Sequence, residues 1–371
     1  MADPVRSVLD VIDTSDVVIC CGSGGVGKTT TAAVIGLDAA RRGRRAVVVT
    51  IDPARRLADA LGLPDGLGSE PQRIDLHGLD VGSGELWAMM LDTAATFDGL
   101  VRTHATDDEQ MERILGNRFY RNIAGAMSGT QEYMAAEMLH ALHHDDRFDL
   151  VIVDTPPSRN ALDFLEAPGV LARFLDHKVF KLAMLPTRGG LKIVGTAAQP
   201  VLKAIGRVVG SDVLSDSLAF FQSFAGMESG FRDRADEVVA LLRAERTSFV
   251  VVASPMSDTI GEAVWFARQL DEQGVGVAAA IVNRVQPEFV PVGIEPSDDA
   301  TLDALRRNAR QLNRIRAAEV AALAPLVELV EPDPVALLPL LDADVHDLDG
   351  LTRVGEYLFP PDALPTAAAS G

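Results

Sequence analysis

The sequence predicts a doubly wound α/β fold on a mostly parallel sheet, with a helical subdomain inserted in two pieces. Three observations lead there. Short apolar runs alternate with helical patterns, a long middle stretch has helical periodicity without strand patterns, and a glycine-rich loop joins the first run to a helix. The runs are Val17–Cys21, Ala46–Ile51, Leu150–Val153, Ser248–Ala253, Val277–Val282 and Leu326–Val330. Each is apolar at consecutive positions rather than alternate ones, as in strands covered by helices on both faces. Strand–helix alternation along the chain then gives parallel strands joined by crossovers.

Between Thr155 and Thr247 the pattern changes. Apolar residues recur at helical spacing, interrupted by Pro186, Gly189, Gly190, Pro200 and Gly210. Val170–Met184 reads as a helix with Leu171, Phe174, Leu175, Val179 and Leu182 on one side. Residues 93–145 read similarly, with Ser128 and Gln131 as a capping box before Tyr133–His144. The expected organisation is a single domain over residues 1–359, with helical pieces near 93–145 and 161–246 and a disordered tail at 360–371. His140, His143 and His144, with Asp145 and Asp146, have metal-ligating chemistry but read as a solvated helix end.

A chain of 371 residues, 47% of them hydrophobic, can bury a large core. Its net charge of −19 excludes nucleic-acid partners, whose phosphates require clustered Lys and Arg. Cys20 and Cys21 are neighbours in one run. Strand neighbours point to opposite faces, so they are expected as buried, reduced thiols in a cytoplasmic protein. The apolar stretches around 191–202 and 316–341 are broken by Lys, Glu or Pro. They fall short of the roughly 20 residues needed to span a bilayer. Any membrane role is therefore expected to be peripheral, through a partner.

Residues 22–29, Gly-Ser-Gly-Gly-Val-Gly-Lys-Thr, fit the pattern G-x-x-x-x-G-K-[ST] between a strand and a helix. Gly24, Gly25, Val26 and Gly27 let backbone N–H groups turn inward around phosphates, and the helix N-terminus adds its dipole. Lys28 reaches the β- and γ-phosphates, the Thr29 hydroxyl holds Mg²⁺, and Thr30 donates to the α-phosphate. This pattern is expected to be a P-loop that holds a nucleoside triphosphate with Mg²⁺. Two predicted strands lead into Asp52 and Asp154, and strand C-termini are where open α/β sheets build ligand sites. Asp154 is expected beside Mg²⁺, directly or through water, and Asp52 is expected to orient the attacking water.

Together these motifs resemble the ArsA-type anion-transporting ATPases, relatives of the ATPases that target tail-anchored membrane proteins. The resemblance rests on Gly24 to Thr30, on Asp52-Pro53-Ala54 with Leu57 and Asp59, and on Asp154-Thr155-x-Pro157 with Leu162, Phe164 and Leu165. It extends to Asn283 in Ile281-Val282-Asn283-Arg284 and to the pattern Pro339-Leu340-Leu341, Asp344-Val345 and Leu351. The runs Gln131–Tyr133 and Asp154–Asn160 look like an actinobacterial branch. The resemblance implies a SIMIBI-like P-loop NTPase, with residues 52–59 and 154–165 as switches that sense the γ-phosphate. It implies Asp52 as the water-activating carboxylate and Asn283 as the residue that hydrogen-bonds adenine. It further implies a dimer that couples hydrolysis to a hydrophobic client or membrane partner.

The sequence also departs from the family. Ser23 stands where the family carries a lysine that crosses the dimer interface, which leaves two arrangements open. Either the chain is an ATPase whose own turnover is weak, or it is a slow nucleotide-binding subunit of a heterodimer whose paralogue supplies the lysine. A small-molecule kinase is a third reading, without an Arg-rich lid to support it. Arg159 is a candidate substitute cation, against the plainer reading of an exposed loop arginine. Met256 replaces a nucleotide-proximal Glu and reads as local packing. The cysteines that bind arsenite and zinc in relatives have no counterparts, so neither ion is expected.

Overall fold

The computed structural model describes residues 7–123 apart from 53 and 77, residues 130–156, 227–289 and 300–359, and single positions between 165 and 223. The chain divides into two compact units. One comprises Met1–Leu91, Ala141–Leu162 and Arg243–Gly371, the other Asp92–His140 and Asp163–Leu242. The described elements, in chain order, are α1 (Val8–Thr14), β1 (Val17–Cys21), α2 (Lys28–Arg41), β2 (Arg45–Thr50), α3 (Arg56–Ala60), β3 (Gln72–Arg73), β4 (Glu85–Met90), α4 (Thr93–His104), α5 (Asp108–Leu115), α6 (Arg118–Ile123), α7 (Thr130–His143) and β5 (Leu150–Asp154). After these come α8 (Glu228–Leu242), β6 (Thr247–Ala253), α9 (Ser257–Glu272), β7 (Val277–Val285), α10 (Ala300–Ala322), α11 (Ala324–Val330), β8 (Val335–Pro339) and α12 (Leu348–Leu358).

The first unit is built on an eight-stranded sheet in the order β3-β4-β2-β5-β1-β6-β7-β8. Every pairing is parallel except β3 with β4. All five residues of β1 and of β5 are buried, as continuous apolarity requires of central strands. Helix α2 lies close on the sheet. A Cβ on Gly36 would come within 2.7 Å of Val48 and 2.9 Å of Leu86, so only glycine admits this approach. Val34, Ile35 and Leu37 of the same helix are buried in one cluster with Val18, Val48 and Ile152. At about 1.5–3 kcal/mol for each large apolar side chain buried, this contact fixes the helix that carries Lys28.

One expected strand is a helix. Leu326–Val330 lies within α11, and the last strand is Val335–Pro339. Pro325 occupies the first turn of α11, and Leu323, Leu326 and Val330 form its buried side. That spacing of three and four residues is helical, but five apolar residues are too short a window to separate it from a buried strand. Two further strands were not anticipated. β3 has two residues, both exposed, and β4 is interrupted by the half-buried Glu85 and Trp87.

In the second unit the described helices enclose Leu100, Val101, Ile114, Tyr120, Met134, Phe220 and Phe231. Between α7 and α8 runs a polar chain that starts buried at Tyr133 and Glu137 and reaches solvent at Glu237. Tyr133 donates its hydroxyl to Glu137 at 2.5 Å, Arg234 pairs with Glu137 at 3.1 Å, and His140 lies 2.8 Å from Arg234 and 3.3 Å from Glu237. His140 is thus buried and partnered, which corrects its expected place on a solvated helix end. The reason is tertiary, since α8 supplies the partners. The capping residue Ser128, the helix expected at Val170–Met184, Arg159 and the tail at 360–371 lie outside the described residues.

Burial raises the Glu137 carboxyl above its usual range, opposed by the Tyr133 hydrogen bond and the Arg234 charge. Arg234→Met should cost about 2 kcal/mol at neutral pH, below the range for fully buried pairs because Arg234 is 23% exposed. A carboxyl raised in the folded state lowers stability progressively as pH rises from its unfolded value through its folded one. The loss in melting temperature should therefore shrink at mildly acidic pH, and a pH-independent loss would contradict this account.

Candidate nucleotide site

The C-terminal ends of β1, β2 and β5 converge, and the P-loop leaves the sheet from the end of β1. It does so through Gly22, where a Cβ would fall 2.0 Å from the Val252 carbonyl oxygen of β6. The loop re-enters helix at Gly27, whose φ of 98° is left-handed and whose absent Cβ leaves room for Asn283. No side chain caps α2, so its first-turn N–H groups remain directed into the loop. Gly24 and Gly25 are exposed at the rim, Val26 is buried, and Thr29 and Thr30 are half-buried.

Lys28 is buried within this loop. Its Nζ donates to the Gly22 and Ser23 carbonyls at 3.0 and 2.8 Å. Burial pushes its pKa down, with the nearby Asp154 carboxylate acting against that shift. Asp154 ends β5, and its Oδ2 accepts from the Thr29 hydroxyl at 2.8 Å and the Thr50 hydroxyl at 2.9 Å. Its Oδ1 is buried and has no hydrogen-bond partner among the described residues. Desolvation holds this carboxyl above its usual range, against the two threonine hydrogen bonds and the Lys28 charge. Asp52 is half-buried in the loop after β2. It accepts from the Ala54 N–H at 2.9 Å and pairs with Arg56 at 3.0 Å.

Thr50 is the residue that sequence reasoning missed. Its hydroxyl donates to Asp154 and accepts from the Asp52 N–H at 3.3 Å, joining the ends of two strands. The available signal was one hydroxyl closing an otherwise apolar run beside Asp52. Thr50→Val keeps the shape and removes the donor. It should lower the turnover number about tenfold at saturating nucleotide, as expected for losing a hydrogen bond to a charged group. Unchanged turnover would show that Thr29 alone suffices to hold Asp154.

Asn283 and Arg284 come from the end of β7. The Asn283 amide donates to the Val26 carbonyl at 2.9 Å, and Arg284 Nη1 donates to the Gly25 carbonyl at 3.1 Å. Ser23 is buried, and its hydroxyl has no hydrogen-bond partner among the described residues. Met256 is 63% exposed and occupies the N-cap of α9, contrary to the packing role expected of it. Its place at the start of the helix, after the β6–α9 turn, leaves most of the side chain in solvent. Cys20 and Cys21 are free and buried, and burial pushes the Cys21 thiol up to about 12.

With this geometry in place, comparison with known proteins is decisive. The family description "anion-transporting ATPase" matches residues 15–360. The chain belongs to the ArsA-type ATPase family. ArsA-type relatives include the ATPase get3 of Aspergillus terreus, 26% identical over 347 residues that cover 93% of this chain and 90% of the relative. They also include the putative arsenical pump-driving ATPase 1 of Aquifex aeolicus, 23% identical over 94% of this chain and 80% of the relative. The ATPase ASNA1 homolog 1 of Paramecium tetraurelia is 24% identical over 93% and 92%. Membership makes this chain a P-loop, ATP-hydrolysing enzyme. As in any ArsA-type chain, the question is what that hydrolysis drives. No described helix is long and apolar enough to cross a membrane.

Proposed function

We propose that this ArsA-type ATPase binds ATP with Mg²⁺ in the 22–29 loop and works as a dimeric switch. The switch couples hydrolysis to a hydrophobic client or membrane partner in the cytoplasm. One observation carries the nucleotide assignment. Asp154 is held by Thr29 and Thr50 while its second oxygen is buried without a hydrogen-bond partner among the described residues. A buried carboxylate oxygen without a donor is costly, and this donor set of hydroxyl and carboxylate oxygens fits a hard divalent cation. Thr29 and Asp154 would hold the Mg²⁺, which supplies charge neutralisation across the β- and γ-phosphates.

The protein's own groups do the rest. Gly24 to Gly27 orient backbone donors, Lys28 places its cation inside the loop, and Thr30 stands in the first turn of α2. Asp52 would orient the attacking water through the acceptor sites that Arg56 and the Ala54 N–H leave open. Asn283 supports adenine recognition by family resemblance, with one of its amide hydrogens already engaged by the loop. The second unit, with its helices, is the natural place for a client.

A heterodimer remains the second reading, favoured by Ser23 at the position of the family's trans-acting lysine. Turnover and molar mass of the purified chain separate the two. A dimer that releases phosphate at the rate of its relatives supports the homodimeric switch. A chain inactive alone but activated by a lysine-bearing paralogue supports the heterodimer. No ATP binding in either case overturns the proposal.

A further inference from the structure

The end of β7 is irregular in a way that the sheet does not require. Val282 pairs with Leu337 of β8 and Val285 with Pro339, so Asn283 and Arg284 together face a single β8 residue. This is a β-bulge, a device that re-aims side chains beside functional sites. Arg284 takes φ 64° within it, the only positive φ at a non-glycine among the described residues. A left-handed arginine costs about 1 kcal/mol, so surrounding structure must hold it there. Pairing resumes at once, with the Leu340 N–H donating to the Val285 carbonyl at 2.8 Å. Helix α10 holds the next residues. Glu319 accepts from the Gln286 N–H at 2.7 Å, Arg316 donates to the Gln286 carbonyl at 2.8 Å, and Asn313 bonds both backbone groups of Phe289.

The bulge delivers two donors to two consecutive P-loop carbonyls, Arg284 to Gly25 and Asn283 to Val26. The Asn283 side-chain oxygen in turn accepts from the Arg284 N–H at 2.9 Å, locking the pair. In a trans peptide, the carbonyl and the following N–H point in opposite directions. Holding the Gly25 and Val26 carbonyls toward β7 therefore turns the N–H groups of Val26 and Gly27 the other way, into the phosphate cradle. Gly27 completes the fit, because a Cβ there would meet the Asn283 amide at 2.3 Å.

We infer that the Asn283–Arg284 bulge is a brace that presets the P-loop, with Arg284 as a positioning residue for nucleotide binding. The inference rests on the proposed nucleotide reading of that loop. The Arg284 arm of the brace acts on the phosphate cradle through Gly25 and is indifferent to the base.

Arg284→Gly removes both the guanidinium and the backbone strain. Its melting temperature should equal or exceed that of the parent, while the dissociation constants for ATP and GTP both rise about fivefold, as for one lost hydrogen bond. KM for ATP should rise by the same factor with the turnover number at saturation within about twofold. Arg284→Lys, which keeps a cationic donor, should recover most of the affinity. Unchanged affinity in Arg284→Gly would overturn the brace. So would an affinity loss accompanied by a lower melting temperature without recovery in Arg284→Lys. Lys28→Ala serves as the control for the underlying reading. If it binds ATP normally, the loop is not the nucleotide site and that reading fails, whatever Arg284 does.

Discussion

Lys28→Ala should reduce phosphate release about a thousandfold, the upper range for removing one preorganised electrostatic group. The size of the effect follows from where the ammonium sits. It is buried inside the loop, 3.0 and 2.8 Å from two loop carbonyls, so its charge acts in a medium of low polarity. Two other described cations lie near the loop, and both are exposed: Arg56 is paired with Asp52, and Arg284 donates to the Gly25 carbonyl. Lys28→Arg should not rescue turnover, because a planar guanidinium does not fit where a compact ammonium bridges adjacent carbonyls. Phosphate release is the measurement, with circular dichroism to establish that each variant is folded. Activity within tenfold of the parent in Lys28→Ala would remove the loop from the chemistry.

Asp154→Asn should have the second largest effect, a fall of about a hundredfold in metal-dependent turnover. The amide keeps an acceptor for Thr29 and Thr50 but loses the negative charge that a divalent cation requires. Its expected effect on stability is the opposite of most buried substitutions. Burial disfavours the charged carboxyl, and Oδ1 has no donor among the described residues, so the parent carries a desolvation penalty at this position. Without nucleotide, the melting temperature of Asp154→Asn should not fall below that of the parent. A variant both inactive and much less stable would make Asp154 a structural residue, and retained turnover at ordinary Mg²⁺ concentrations would exclude it from the metal site. Thr50→Val gives the graded comparison, since it weakens the hold on Asp154 without touching its charge.

Much of the candidate site was legible because the chemistry proposed for it is local in sequence. Phosphate recognition by a P-loop depends on consecutive backbone N–H groups, on glycines where a Cβ is excluded, and on a lysine and a threonine at the helix start. Spacing alone therefore placed Gly24 to Thr30. The central strands were legible for a similar reason, since burial on both faces demands unbroken apolarity. Edge elements carry no such signature. β4 mixes Glu85 and Trp87 with its apolar residues, β3 has two exposed residues, and Leu326–Val330 satisfies helix and strand patterns equally.

What the sequence by itself determined is the set of groups proposed to bind phosphate and the kind of sheet that presents them. Tertiary structure alone decided their partners. Thr29 meets Asp154 across 125 residues of chain, Thr50 joins both strand ends, and Asn283 reaches the loop across 257 residues. It also decided that Asn283 and Arg284 turn toward the loop, because a bulge exists only when one strand is set against another. Local motifs reveal which atoms a phosphate needs. Which distant side chains hold those atoms depends on strand register, and register is a property of pairs of segments rather than of either one.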